Sequence, residues 1–182
     1  YEDDPHYLEV LSQEAVSTIK RVRKHPSLAL WSGGNELFNS WSGMTDQSLA
    51  LRLLNRLCLE YDPRTPYIAT SPLEGMAHGY YAFRHMETGE EVFSIMRSAR
   101  NTAYTEFGVP SPSLPDVIRS VIPSEELWPP RPGGAWESHH AFNAWIGNTW
   151  LMQDLIDDYF GESKNLEMLA AHGQLLQAEG LK

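Results

Sequence analysis

The stretch His25-Pro26-Ser27-Leu28-Ala29-Leu30-Trp31-Ser32-Gly33-Gly34-Asn35-Glu36 decides how the chain reads. Pro26 disfavours helix at the residue before it, so the helical pattern that precedes must stop at His25. Leu28 to Trp31 is a continuous apolar run with no polar alternation, the pattern of a parallel strand buried on both faces. It ends in a polar, glycine-containing turn that delivers a carboxylate, Glu36. A second segment, Thr102-Ala103-Tyr104-Thr105-Glu106-Phe107-Gly108, repeats the arrangement: a short strand, then a carboxylate at its last residue.

Between and around these segments helices and strands alternate. Asp4-Pro5 starts a helix, as a capping residue followed by proline in the first turn. Leu8, Leu11, Ala15, Ile19 and Val22 continue it at helical spacing. A second helix is expected over about Asp46 to Glu60, a turn at Asp62 to Pro66, and a strand at Tyr67 to Ser71. Gly79 to Phe83 reads as a strand and Glu90 to Ala99 as a helix. After Glu106 a proline-rich stretch, Pro110 to Gly134, holds a short helix near Asp116 to Val121. Two helices close the chain: His140 to Phe160, with Phe142, Trp145, Ile146, Met152, Ile156 and Tyr159 inward, and Asn165 to Ala178. Such alternation means parallel β/α units. A doubly wound sheet and part of a (β/α)8 barrel both fit. Gly33-Gly34 lacks the further glycine and following helix of a dinucleotide loop. Carboxylates at strand ends favour the barrel, whose enzymes place their chemistry at the C-terminal ends of strands.

Composition narrows the partners. Acidic groups outnumber basic ones 24 to 14, and the formal net charge of −10 argues against a nucleic-acid partner. No apolar run reaches membrane-spanning length, so no membrane role is expected. Six Trp and eight Tyr suit stacking on sugar faces, and equally suit a large core. The single cysteine, Cys58, lies among Leu53, Leu54 and Leu57 and reads as a buried, inert thiol. The adjacent His139 and His140 would point about 100° apart on a helix and cannot chelate one ion together. No HExxH motif or cysteine cluster is present, so neither a metal nor a cofactor is expected. The chain opens on Tyr1 and runs almost at once into a helix, which reads as an internal start in a longer protein.

Two strand-end carboxylates suit a retaining glycosidase. One carboxylic acid protonates the leaving oxygen, while the other, about 5–5.5 Å away, attacks the anomeric carbon. Glu106 follows Glu36 by 70 residues, room for two intervening strand–helix units. Either glutamate alone reads as a surface or helix-terminal charge; the pair points to catalysis.

His25 to Glu36 closely resembles the acid/base strand of glycoside hydrolase family 2, and Thr105 to Gly108 its nucleophile strand. Ser113-Leu114-Pro115, Ile122-Pro123, Leu127-Trp128-Pro129, Trp136 with His139-His140, and Gln177 to Gly180 look like the β-mannosidase branch. The resemblance implies a partial (β/α)8 TIM barrel, about strand 4 to helix 7, with residues 1–182 forming the C-terminal part of the catalytic barrel of a multidomain protein. It implies Glu36 as acid/base, Glu106 as nucleophile and Asn35 on the sugar 2-hydroxyl. His78, Tyr80 and Tyr81 would lie beside the nucleophile, one tyrosine orienting Glu106. Trp41 is placed to stack on a leaving-group sugar or cover the barrel rim, and Trp136 and His139, near the loop after strand 7, would contact the sugar. The implied activity is a retaining exo-β-glycosidase on terminal β-linked sugars, mannose-type, in a periplasmic or extracellular setting. Gly79 within His78-Gly79-Tyr80-Tyr81, and Gly34 before Asn35, depart from the mannosidase pattern and leave β-galactosidase-like or β-glucuronidase-like specificity open. A carbohydrate substrate is the expected partner. An isolated half-barrel would be non-catalytic and would self-associate through its open edges.

Overall fold

Helix α1 (Pro5–Val22) begins where its sequence dictates. Asp4 is the N-cap, its carboxylate accepting from the amides of His6 at 2.6 Å and Tyr7 at 3.3 Å, with Pro5 in the first turn. In this computed structural model residues 4–143 and 150–182 are described. The chain divides into two compact units: Tyr1–His78 with Asn101–Thr105, and Gly79–Arg100 with Glu106–Lys182.

In the first unit α1 is followed by β1 (Trp31–Ser32), α2 (Leu49–Tyr61), β2 (Tyr67–Ile68) and β3 (Met76–His78). Strands β1 and β2 pair in parallel, Trp31 opposite Tyr67 and Ser32 opposite Ile68, and a parallel bridge between Asn35 and Ser71 extends the pairing. This β1–α2–β2 order is the β/α unit that the alternation predicts. Helices α1 and α2 pack together over Ile19, Leu57 and Cys58, with Val16, Trp31, Leu53 and Tyr67 closing the cluster. Burying a leucine such as Leu57 contributes about 1.5–3 kcal/mol. The Trp31 indole donates to Asp62 Oδ2 at 3.0 Å, tying β1 to the end of α2.

Strand β1 is shorter and less covered than its apolar run predicts. Residues 28–30 lie outside the ladder, because the Asp62–Pro66 turn precedes β2 and the first bond runs from Trp31 N to the Pro66 carbonyl, 2.9 Å. Ala29 and Ser32 are exposed while Leu30 and Trp31 are half-buried, and since neighbours along a strand point to opposite faces, neither face is fully covered. Gly33 allows the close approach of β1 and β2: a Cβ there would lie 2.2 Å from the Tyr67 hydroxyl and 2.6 Å from the Ala69 carbonyl. Strand β4 (Ala103–Glu106), whose first three residues belong to this unit, hydrogen-bonds to β3.

The second unit holds α3 (Val92–Ser98), α4 (Pro115–Val121), α5 (Gly134–Ser138), α6 (Gln153–Phe160) and α7 (Leu166–Gly180). Its core includes Phe83, Val109, Ile118, Trp136, Ile156 and Leu169, the last two essentially closed to solvent. Helix α7 packs on α6 and α4. Gly173 gives it a close approach, since a Cβ there would meet Pro112 Cδ at 2.5 Å and Ile156 Cδ1 at 3.0 Å.

Two expected elements differ here. Gly79 to Phe83 is not a strand: Gly79 has φ +81, outside the extended region, and bends follow it. Of the expected helix from His140 to Phe160, the described residues show Gln153–Phe160 as helix. His140, Asn143 and Met152 all have positive φ (60, 52 and 54°), which a right-handed helix cannot contain. Met152 and Ile156 are buried as expected, Phe142 is half-buried and Tyr159 is exposed, while Trp145 and Ile146 lie outside the described residues. The chain is thus mixed α/β with parallel pairing in its first unit. Among the described residues, no helix is long and apolar enough to cross a membrane.

Candidate functional site

In the first unit the segment after β1 is fixed to the segment after β2 by a run of backbone bonds. Gly33 N donates to the Ile68 carbonyl (2.9 Å), Ser71 N to the Gly34 carbonyl (3.1 Å) and Glu36 N to the Ser71 carbonyl (2.7 Å). Thr70, fully buried, adds its hydroxyl: it accepts from the Leu37 amide at 3.0 Å and donates to the Gly34 carbonyl at 3.3 Å. Glu36 sits at the turn with φ +52, in the left-handed region that a side chain with a Cβ adopts at some cost.

The Glu36 side chain is held as well. His78, at the end of β3, brings Nδ1 to 2.7 Å from Glu36 Oε1, with the histidine side chain 7% exposed and the glutamate 40%. His78 Nε2 lies 3.0 Å from Ser71 Oγ, and Ser71 Oγ makes a short hydrogen bond with Thr105 Oγ1 on β4. Sequence reasoning places Glu36 and His78 near chemistry but misses that they bond each other, and misses Ser71, Thr105 and Thr70 altogether. Ser71 closes the Tyr67–Ser71 segment, so the strand-end logic that found Glu36 applies to it equally.

In the second unit the Tyr81 hydroxyl donates to Glu106 Oε2 at 3.0 Å. Of the two tyrosines read from the sequence, Tyr81 therefore bonds the Glu106 carboxylate. Tyr80 is engaged elsewhere: its hydroxyl accepts from the Met86 amide at 2.8 Å, and its ring stacks on His85, centroids 4.8 Å apart. Trp136 is buried in the core of this unit, its indole donating to the Glu126 carbonyl at 2.8 Å, and His139 is exposed at the end of α5. In the first unit Asn35 is exposed beside Glu36, and Trp41 is 72% exposed on the following loop.

Comparison with known proteins reaches the first of the two motifs. Residues 1–70 match the family described as glycosyl hydrolases family 2, TIM barrel domain, a span that contains Asn35 and Glu36. β-Mannosidase of Mus musculus is 28% identical over 90 residues, covering 42% of this chain and 10% of the mouse protein. β-Mannosidase A of Emericella nidulans is 51% identical over 37 residues, 20% of this chain and 4% of the fungal protein, and that of Aspergillus niger matches to the same extent. The aligned part is thus about a tenth or less of these relatives' lengths. Over the parts that match, the chain is similar to family 2 glycosidases and, among them, to β-mannosidases.

Proposed function

We propose that the protein from which this chain comes is a retaining exo-β-glycosidase of the β-mannosidase kind, with Glu36 as acid/base and Glu106 as nucleophile. The observation that carries the reading is the presentation of Glu36. A non-glycine residue at φ +52, anchored by its own amide and by His78, lies in the stretch that matches a glycosidase barrel. Backbone strain of this kind costs on the order of 1–3 kcal/mol and collects where a side chain must be aimed. The proposed barrel part, running from about strand 4 to helix 7, would set both glutamates at strand ends.

The chemistry follows the two-carboxylate scheme. The Glu106 carboxylate attacks the anomeric carbon while the glycosidic C–O bond breaks and Glu36 gives its proton to the departing oxygen. A water then attacks the same carbon, Glu36 takes its proton, and the ester to Glu106 is released. Tyr81, donating to Glu106 Oε2, fixes the nucleophile's orientation and lowers the reorganisation needed on attack. No cofactor enters this scheme. Asn35 beside Glu36 would bond the 2-hydroxyl, and the exposed Trp41 would stack on the leaving group.

Azide rescue tests the assignment in the complete protein. With an activated aryl β-mannoside, Glu36→Ala plus azide should give the β-glycosyl azide, because azide takes the place of water on the glycosyl-enzyme. Glu106→Ala plus azide should give the α-product, because azide attacks the substrate directly from the nucleophile's face. Identical stereochemistry from both variants, or full activity in either, refutes the assignment.

For the 182-residue chain alone the proposal is different. Its described sheets are two-stranded and their edges unpaired, so it should lack the enclosure that hydrolysis needs and should self-associate. Leu114, Val117 and Val121, between 47% and 59% exposed along α4, add apolar surface to that tendency. Light scattering together with assays on aryl β-mannoside, β-glucoside and β-galactoside decides it; a monomer with ordinary turnover refutes it.

A further inference from the structure

The hydrogen bonds around His78 can be followed proton by proton, all within the first unit. Where Glu36 Oε1 carries no proton it only accepts, and the 2.7 Å contact then takes its proton from His78 Nδ1. A neutral imidazole then has a bare Nε2, and Ser71 must donate its one proton there, across 3.0 Å. With that proton committed, Ser71 Oγ can only accept from Thr105. Thr105 also has one proton and two acceptors in reach, Ser71 Oγ and the Ala77 carbonyl at 3.5 Å. The second is at the outer limit of a hydrogen bond, so the shorter contact takes the proton. From that start these four groups run in the order Thr105, Ser71, His78, Glu36, each donating to the next.

The opposite order has a chemical consequence. It would put a proton on Glu36 Oε1 and direct it into Nδ1, towards the protein and away from any leaving group. The polarity of two hydroxyls therefore decides which carboxyl oxygen of Glu36 is available as the acid.

We propose that Ser71 and Thr105 are positioning residues that hold His78 in its Nδ1–H tautomer and so reserve Oε2 of Glu36 for proton transfer. The inference rests on the reading of Glu36 as acid/base. Oε2–H gives its proton to the glycosidic oxygen as that C–O bond breaks. In the second half Oε2 takes a proton from the water whose oxygen bonds the anomeric carbon as the ester to Glu106 breaks. No proton passes along the chain. Ser71 is suited to the task because its main chain also holds the main chain of Glu36 (Glu36 N to Ser71 O, 2.7 Å), so one residue sets both the backbone and the tautomer.

The test has two readouts in the complete protein. Two-bond proton–nitrogen correlation of ¹⁵N-labelled histidine should show the His78 ring as Nδ1–H in the wild type, moving towards Nε2–H in Ser71→Ala and, less, in Thr105→Val. Thr105→Ser keeps the hydroxyl and should restore the wild-type pattern. Since general acid catalysis is worth on the order of 10²–10⁴-fold, Ser71→Ala should lose at least about tenfold in kcat/KM on glycosides with poor leaving groups. It should stay within about twofold on a dinitrophenyl glycoside, which needs no acid. A wild-type Nε2–H tautomer, a tautomer indifferent to Ser71→Ala, or equal losses on both substrates overturns the proposal. If Ser71→Ala does not fold, the Thr105→Val and Thr105→Ser pair carries the same measurements. If Glu36→Ala hydrolyses poor leaving groups as well as the wild type, the acid/base reading fails instead, and the tautomer measurement alone decides whether the proton order is right.

Discussion

Thr70→Val removes one oxygen from the interior and nothing else of consequence in volume. Thr70 is wholly buried, and its hydroxyl is the partner of the Leu37 amide at 3.0 Å. The Gly34 carbonyl, its other partner, also accepts from Ser71 N at 3.1 Å and Ser32 Oγ at 3.0 Å, so it stays satisfied. The Leu37 amide does not, and leaving a buried N–H without an acceptor costs about 1–3 kcal/mol. The expected loss is therefore about 2 kcal/mol, roughly a thirtyfold shift in the local opening equilibrium. Thr70→Ser is the control: it keeps the hydroxyl and removes one methyl, at about 1 kcal/mol. Amide hydrogen exchange should show Leu37 losing about thirtyfold protection in the valine variant and less in the serine variant. In the complete protein, turnover should fall with it, since Leu37 follows Glu36 directly. If valine costs no more than serine, or Leu37 protection is unchanged, the hydroxyl does not hold this turn and the account of how Glu36 is presented is wrong.

Tyr81→Phe removes a hydrogen bond to a charged acceptor, worth about 1.5–3 kcal/mol, so kcat should drop roughly ten- to hundredfold while Tyr80→Phe changes it little. Comparable losses in the two variants would refute the assignment of Tyr81. Burial pushes the Tyr67 phenol up to about 12, helped by the nearby Cys58. Because the folded value is raised, this contribution to stability is complete below the unfolded value near 10 and is lost as the pH rises through about 12. Ultraviolet titration should show a tyrosine step near pH 12 that Tyr67→Phe abolishes. Gly173→Ala should destabilise the second unit by about 1–2 kcal/mol: the added Cβ meets the Pro112 ring at 2.5 Å, and that overpacking outweighs the gain in helix propensity. A raised melting temperature would show that the contact relaxes freely.

What was legible in the sequence depended on whether the deciding interaction was local. Asp4-Pro5 and Asn165 both cap the helices they predict, because a cap is a bond to an amide two or three residues away. The strand-to-turn reading of Leu28 to Glu36 located Glu36 for the same reason. The burial of that strand was misread because coverage depends on what packs against it, and an apolar run does not say how many faces are covered. The expected helix from His140 failed on backbone dihedrals at His140, Asn143 and Met152; histidine and asparagine both tolerate the left-handed region, but the apolar spacing of Phe142, Met152 and Ile156 overrode that signal in the reading. The hydroxyl chain behind His78 joins residues from three separate segments, and only the strand-end position of Ser71 hints at it from sequence alone.

The left-handed backbone at Glu36 has a bearing on how this chain would be redesigned. A procedure that chose residues for stability alone would place glycine or asparagine at position 36, the residue types that occupy φ near +52 with least strain. The variant should melt no lower than the wild type, and somewhat higher for glycine, while losing the proposed chemistry entirely. Position 36 is therefore one where thermostability screens and activity screens should select opposite residues, and any stabilised version of the protein must exempt it.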